Sequence, residues 1–397
     1  MNTTDLTKAD EASVASWLAE HEGEMFELLE KLVNTDSGSY DKPGVDKAGE
    51  VIRDFLQGRG IDCDTIPVES YGDAVRATVP GRTGGGNRPV LLMGHRDTVF
   101  PKGEPQRRPF AIADGRAYGP GVADMKAGLV MNAFVLAAFA QVGGAPMPLV
   151  GLFTGDEEIG SPASGSIISQ EARGAGAVFN SEPGRISGNV VTGRKGGIFF
   201  ICRVTGKASH SGANFSDGIS AIAELAEKIT AWNRLTDLER GITVNVGLVS
   251  GGQSVNTVAP EARCEIDTRY VRLADRDWIN DSIGAIADRS FVEGTSSDLT
   301  ITGEFNPLEQ STQSASVFEL YQHAGRESGL EIGGEFSGGC ADSGLASAAG
   351  APTLCGTGPV GAHVHTPDEF IELDTVVPRA QTLARTICRL PDTFKKT

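Results

Sequence analysis

The chain has 397 residues, six cysteines and a formal net charge of −17, with a mean hydropathy of −0.14. So acidic a chain lacks the basic face that nucleic acid requires, no run of 18 apolar residues reads as a membrane span, and a chain this long is expected to form two domains. The polar, acidic start, residues 1–22, lacks the basic head and apolar core of a signal peptide, so a cytoplasmic location is expected.

Residues 12–33 carry helical periodicity, and 44–59 form a second helix ended by Gly60. Short apolar runs at 74–79, 90–93 and 149–154 read as strands, with helices at 125–141 and 162–172. Strands alternating with helices imply a mostly parallel sheet covered on both faces. The glycine-rich stretch 81–87 precedes a strand and opens no helix, so it reads as a flexible surface loop and not a phosphate cradle.

Near Gly193 the pattern changes. A strand at 197–204, an amphipathic helix at 217–235, strands at 242–249 and 262–270, a helix at 275–291 and a strand at 299–303 follow. That β-α-β-β-α-β order is the split pattern of a ferredoxin-like unit. Alternation then resumes, with helices at 314–328 and 375–390 and strands at 331–336 and 353–355. The expected architecture is an α/β domain over 1–189 and 306–397, interrupted by an inserted α/β unit over 190–305.

The cysteines, Cys63, Cys202, Cys264, Cys340, Cys355 and Cys388, are scattered without a CxxC pair, so buried free thiols are expected. Cys340 has no base beside it in sequence to make it a nucleophile.

His21 and His323 lie in charged helical stretches and read as surface residues, whereas His95, His210, His363 and His365 lie at element ends or in glycine-flanked loops. His95 and Asp97, two apart at a strand end, point to the same side. One can bind a metal while the other accepts its second ring N–H, which fixes the tautomer; a turn or capping aspartate is the plainer alternative. Asp124 opens the helix after Gly119-Pro120-Gly121, as a helix cap or as a carboxylate bridging two ions. Glu157 and Glu158 are adjacent acids that repel unless a cation stands near them. Glu182 again ends an apolar run, 175–179, and the stretch 361–369 adds His363 and His365. The repetition of such residues at strand ends points to a metal site.

The stretches HRDTV (95–99), YGPGVADMKAG (118–128), DEEIGS (156–161), SEPG (181–184) and HTPDE (365–369) together resemble the carboxypeptidase G / aminoacylase / acetylornithine deacetylase family of dizinc hydrolases. HxDTV followed by YGPGVADMKAG is most similar to its carboxypeptidase G branch. The resemblance implies two Zn2+ per subunit, with Co2+ or Mn2+ as substitutes. His95 and Glu182 would hold one ion, Glu158 and His365 the other, and Asp124 would bridge them; His363 competes with His365. Asp97 would orient His95, Glu157 would be the general base acting on a metal-bridging hydroxide, and the peptide after Asp124 would be cis. Two divalent ions are then balanced by Asp124, Glu158, Glu182 and one hydroxide. A position kept for water marks a catalytic site.

By the same resemblance the inserted unit is a lid and homodimer contact, and His210 stabilises the oxyanion in a partner subunit's site. Asn256, Arg269 and Gly339, the last beside Gly338, would contact the substrate, the arginine through its α-carboxylate. Glutamate-releasing members are expected to carry a lysine just before the inserted unit. Residues 187–191 read Ser-Gly-Asn-Val-Val and hold none. The implied function is a metallocarboxypeptidase or amidohydrolase that cleaves N-acyl amino acids or short peptides and releases an amino acid. The alternatives are a deacylase of the acetylornithine deacetylase or desuccinylase type and, more remotely, a non-catalytic binding protein on the same fold. A dehydrogenase is excluded by the lack of a strand–GxGxxG–helix unit.

Overall fold

The structure, a computed structural model, describes residues 3–82 and 88–394. The glycine-rich stretch expected to be a flexible loop lies outside these from residue 83 to residue 87. The chain divides into two compact units. One comprises Met1–Gly193, Gln310–Ser337 and Ala341–Thr397; the other is Arg194–Glu309 with Gly338–Cys340. The short return of Gly338–Cys340 to the second unit has no signature in sequence periodicity.

The first unit is built on an eight-stranded sheet. From edge to edge it runs Asp62–Ile66, Ala74–Val79, Leu149–Thr154, Val90–His95, Ala177–Asn180, Thr353–Cys355, Val190–Arg194 and Gly334–Ser337. The four strands from Leu149–Thr154 to Thr353–Cys355 are parallel neighbours. The ladders beyond them, at Ala74–Val79 and at Val190–Arg194, are antiparallel. Every residue of Val90–His95 and Leu149–Thr154 is buried, as expected of central strands covered on both faces.

The helix Ala127–Gln141 is apolar all round, so it cannot face water on any side. With the turn before it, Val122–Gln141 is long and apolar enough to cross a membrane, against the expectation that no such stretch exists. Of that stretch 94% is buried inside the protein, the state of a core helix. Its one interior amide, Asn132, donates to the Met93 carbonyl at 3.2 Å and accepts from Ser181 Oγ at 2.7 Å, which ties the helix to two strand ends.

Three local expectations change. The helix read over 12–33 is two, Thr3–Glu20 and Glu22–Val33, broken at His21, whose ring stacks on Trp17 and hydrogen-bonds the Trp17 carbonyl at 2.7 Å. The helix read from 125 starts at Ala127, after a five-residue turn, Val122–Lys126, in which Asp124 and Met125 are not helical. A small sheet of Gly361–Ala362, Phe370–Glu372, Arg116–Tyr118 and Ala111–Ala113 was not foreseen, because two- and three-residue strands carry no readable alternation.

The second unit is a four-stranded antiparallel sheet, ordered Thr243–Gly251, Glu261–Tyr270, Gly196–Thr205 and Ser296–Phe305. Its helices Ala221–Asn233 and Arg276–Asp288 complete the ferredoxin-like order. A fully buried pair, Glu224 and Lys228 at 2.9 Å, joins one helix to the end of the other. Lys228 Nζ donates to the Ile286, Ala287 and Arg289 carbonyls, and Glu224 accepts from the Phe291 and Val292 N–H groups.

Gly128 marks the tightest packing near the strand ends: a Cβ there would lie 1.9 Å from the Ser181 carbonyl oxygen. Backbone cannot yield as a side-chain tip does, so Gly128→Ala is expected to lower stability by about 1–3 kcal/mol. Urea unfolding checks this, and an unchanged midpoint would show that the helix slides freely.

Candidate metal centre

Three neighbouring parallel strands deliver the centre. His95 ends its strand in register with Thr154, and Met93 lies opposite Asn180. The turns after Thr154 and Asn180 therefore carry Glu157, Glu158 and Glu182 to the same sheet edge as His95. Sites at the carboxyl ends of parallel strands are the rule for open α/β sheets.

Asp124 sits in the middle. Its Oδ1 lies 3.1 Å from His95 Nε2 and its Oδ2 lies 3.1 Å from His365 Nε2. One carboxylate thus addresses two imidazoles with separate oxygens. It does not cap the helix, as no cap hydrogen bond forms there, and the Asp124–Met125 peptide is cis. Around it, His95 Nε2 is 3.6 Å from Glu182 and 3.8 Å from Glu157, and His365 Nε2 is 3.2 Å from Glu158. Donor atoms of His95, Asp124 and Glu158, and again of His95, Glu157 and Glu182, lie within 4.8 Å of one another.

His365, not His363, faces the cluster. The His363 ring lies against Phe370, with centroids 5.6 Å apart. Both histidines have a left-handed backbone, with φ of 59° and 63°. That conformation is strained outside glycine, so the surrounding structure holds this loop. Phe370–Glu372 pairs with Arg116–Tyr118, and this small sheet carries the His365 loop to the turn that holds Asp124.

Asp97 is buried and does more than orient His95. The His95 Nδ1 hydrogen bond goes to the Asp97 carbonyl at 3.0 Å, with the carboxylate Oδ1 farther off at 3.4 Å. The carboxylate itself accepts from Ser39 Oγ at 2.8 Å and from the N–H groups of Glu157 and Glu158, each at 3.2 Å. It therefore fixes the turn that bears both glutamates. Glu369 does the same for the Asp124 turn, accepting from the N–H groups of Gly121, Ala123 and Asp124 at 3.0, 2.9 and 2.9 Å. Sequence reasoning passed over Glu369 and the buried Asp342, which accepts from Ser161 Oγ. Glu369 ends the stretch HTPDE, but nothing in one sequence distinguishes a buried acid that holds its neighbours from an exposed one.

The protonation pattern follows from this crowding. Burial, with the charges of Glu182, Asp342 and Glu158, drives the Glu157 carboxyl well above its usual range. Burial, with the charge of Asp124, raises Glu158 as well. Burial also pushes Asp124 up, but its two imidazole partners outweigh this and hold it below the usual carboxylate range. Hydrogen bonds to Asp124 and Glu158 raise His365 to about 10. Burial lowers His95, yet Glu157, Asp124 and Asp97 together lift it well above a free imidazole. Glu158 Oε1 is buried with no hydrogen-bond partner. Acids this close, one with an orphaned oxygen, fit a cationic occupant. Mixed histidine and carboxylate donors suit zinc.

The remaining expected residues lie in the second unit. His210 is exposed, and its Nδ1 accepts from the Gly212 and Ala213 N–H groups, both at 3.1 Å. In the neutral ring the proton then resides on Nε2, which makes that nitrogen a donor. Asn256 accepts from Ser254 Oγ at 2.8 Å, and the Gly339 carbonyl accepts from Arg194 at 3.2 Å. Arg269 is already engaged. Its fork is already paired with Asp267 at 2.7 and 2.8 Å, and its Nη1 faces Cys340 Sγ at 2.8 Å. In the first unit, Asn189, which stands in the stretch expected to hold a lysine, bonds Glu335 at 2.7 Å and the Gly333 N–H at 2.6 Å.

The model of the peptidase family M20/M25/M40 matches residues 91–389. Carboxypeptidase G2 of Pseudomonas sp. (strain RS-16) is 28% identical over 375 residues, covering 92% of this chain and 89% of that protein. The acetylornithine deacetylase of Pasteurella multocida (strain Pm70) is 26% identical over 359 residues, covering 85% and 89%. The crystal structure of an M20 family metallo-carboxypeptidase from Sulfolobus solfataricus aligns with a TM-score of 0.77 at 17% identity, covering 93% of this chain and 99% of that one.

Two outcomes test the centre. Adding Zn2+ to metal-stripped protein should raise its unfolding temperature, as about 4 kcal/mol of stabilisation follows from free metal at about a thousand times Kd; Asp124→Ala should abolish most of that rise. Glu369→Gln places an amide N–H against backbone donors and should weaken zinc affinity by about 10–100-fold, measured by competition with a chelator.

Proposed function

Because the chain belongs to the peptidase family M20/M25/M40, a family of metal-dependent hydrolases of amide bonds, we propose that it cleaves N-acyl amino acids or short peptides and releases an amino acid with a free α-carboxylate. The observation that carries this reading is the division of labour in the cluster. Asp124 addresses His95 and His365 with separate oxygens, Glu182 stands by His95, and Glu158 stands by His365. This assignment gives Glu157, beside the centre, the role of general base and no ligand duty.

We assign one divalent ion to His95, Glu182 and Asp124 and a second to His365, Glu158 and Asp124, with zinc as the proposed metal. Such ions, when bound, supply Lewis acidity toward the scissile carbonyl and lower the pKa of water to roughly 7. The chain's own residues do the rest. Asp97 holds the N–H of Glu157 and so aims its carboxylate at the cluster. Glu157 takes a proton from the attacking water and passes it to the amine nitrogen as the C–N bond breaks. No side chain is acylated in this scheme.

The second unit is proposed as lid and homodimer contact, with His210 donating its Nε2 proton to the oxyanion in the other subunit's site. The α-carboxylate would have to displace Asp267 to reach the Arg269 fork; Asn256 and Gly339 are the other proposed contacts. A cytoplasmic location accords with six free thiols. The deacylase alternative, of the acetylornithine or succinyl-diaminopimelate kind, gains from the missing lysine and from the commitment of Asn189 to Glu335.

The distances alone would also allow Glu157 as a ligand beside His95 and Glu182. Glu157→Gln separates the roles. As general base, its loss should leave about two metal ions per subunit by elemental analysis and lower kcat/KM by about 100-fold to 10,000-fold. Loss of one ion would make it a ligand, and near-normal turnover would remove it from the chemistry.

A further inference from the structure

A groove of about 520 Å3 opens in the first unit against the metal centre. Glu158 belongs to both: it lines the groove, and its Oε2 lies 3.2 Å from His365. Ser39, which donates to Asp97, also lines it. The volume falls within the roughly 300–1,000 Å3 of small-molecule sites, far more than an acetyl group fills.

The groove is built and not incidental. Its walls are the segments around Ser39 and around Val99, joined by a parallel bridge between Gly38 and Thr98. The Thr98 N–H donates to the Ser37 carbonyl at 2.8 Å, and the Ser39 N–H to the Thr98 carbonyl at 3.3 Å. A Cβ on Gly38 would lie 2.6 Å from the Phe100 carbonyl, so only glycine permits this approach. Tyr40 is 82% exposed and Val99 43% exposed. Phe100, Pro101 and Ile159 complete the apolar lining.

Charge decides which half of a substrate belongs here. The groove's one lining cation, Lys102, pairs with Asp41 at 3.1 Å. The lining holds two acids, Asp41 and Glu158, against that one cation, so the groove disfavours a carboxylate, whether the α-carboxylate of the released amino acid or the second one of a succinyl group. An apolar surface next to a polar centre is instead satisfied by an uncharged group carried on the scissile carbonyl.

We propose that this groove binds the acyl half of the substrate and selects a bulky, uncharged aryl or branched alkyl group, with Tyr40 and Val99 as the specificity-determining contacts. The inference rests on the amidohydrolase reading above and names the substrate class of that same site.

The test uses the full-length, zinc-loaded protein and the N-acetyl, N-succinyl and N-benzoyl derivatives of one amino acid. The wild type should prefer benzoyl over acetyl and over succinyl by about tenfold or more in kcat/KM, the range one pocket commands. Tyr40→Ala should reduce the benzoyl-to-acetyl ratio about fivefold or more. Val99→Lys should shift the benzoyl-to-succinyl ratio toward succinyl by about tenfold, a charge-specific response that general loosening would not produce. Equal or reversed preference in the wild type, or ratios unmoved in both variants, would overturn the groove assignment while leaving the hydrolase reading intact. Failure of the zinc-loaded wild type to cleave all three would overturn the hydrolase reading and the groove assignment with it.

Discussion

Four carboxylates and two imidazoles crowd the carboxyl edge of the parallel strands, and most of the surrounding structure answers to that crowding. Asp124, Glu157, Glu158 and Glu182 cannot all stay ionised in a buried space without a cation. The shifts follow burial and the neighbours: Asp124, bonded to two imidazoles, is held down, while burial and nearby acids drive Glu157 and Glu158 up. A site that stores this much like charge is arranged for a multivalent positive occupant.

Holding such groups against their repulsion needs a rigid frame, and buried acids turned toward backbone provide it. Asp97 binds two successive N–H groups of the Glu157–Glu158 turn, and Glu369 binds three around Asp124. A third, Asp156, accepts from the Ala163 and Ser164 N–H groups and closes the loop beyond the glutamates. Beneath them, Asn132 ties the core helix to the strand ends at Met93 and Ser181. The centre is therefore set by the backbone, and its side chains have little freedom to disperse.

The groove beside Glu158 shows the same economy on the apolar side. Two backbone segments bridged at Gly38 and Thr98 leave Tyr40 and Val99 standing in solvent next to the polar cluster. Single exposed apolar residues are ordinary; a set of them bordering a proposed metal ligand, Glu158, is the usual lining of a small-molecule site.

By itself the sequence determined the α/β class, the interrupting ferredoxin-like unit and the strand ends where the acids collect. Each of those follows from local periodicity, and the ordered motifs from HRDTV to HTPDE carried the family. Only the tertiary structure decided the pairings. It chose His365 over His363 because a small sheet of two- and three-residue strands, too short to read, brings the loop to Asp124. It dropped the capping alternative for Asp124 by setting its two oxygens on two histidines, and it filled the Arg269 fork with Asp267. Glu369 and the groove wall at Ser39 gained meaning only there, since the groups they meet lie 245 and 59 residues away along the chain, at Asp124 and Thr98. Contacts at such separations are fixed by how elements pack, and no local pattern encodes them.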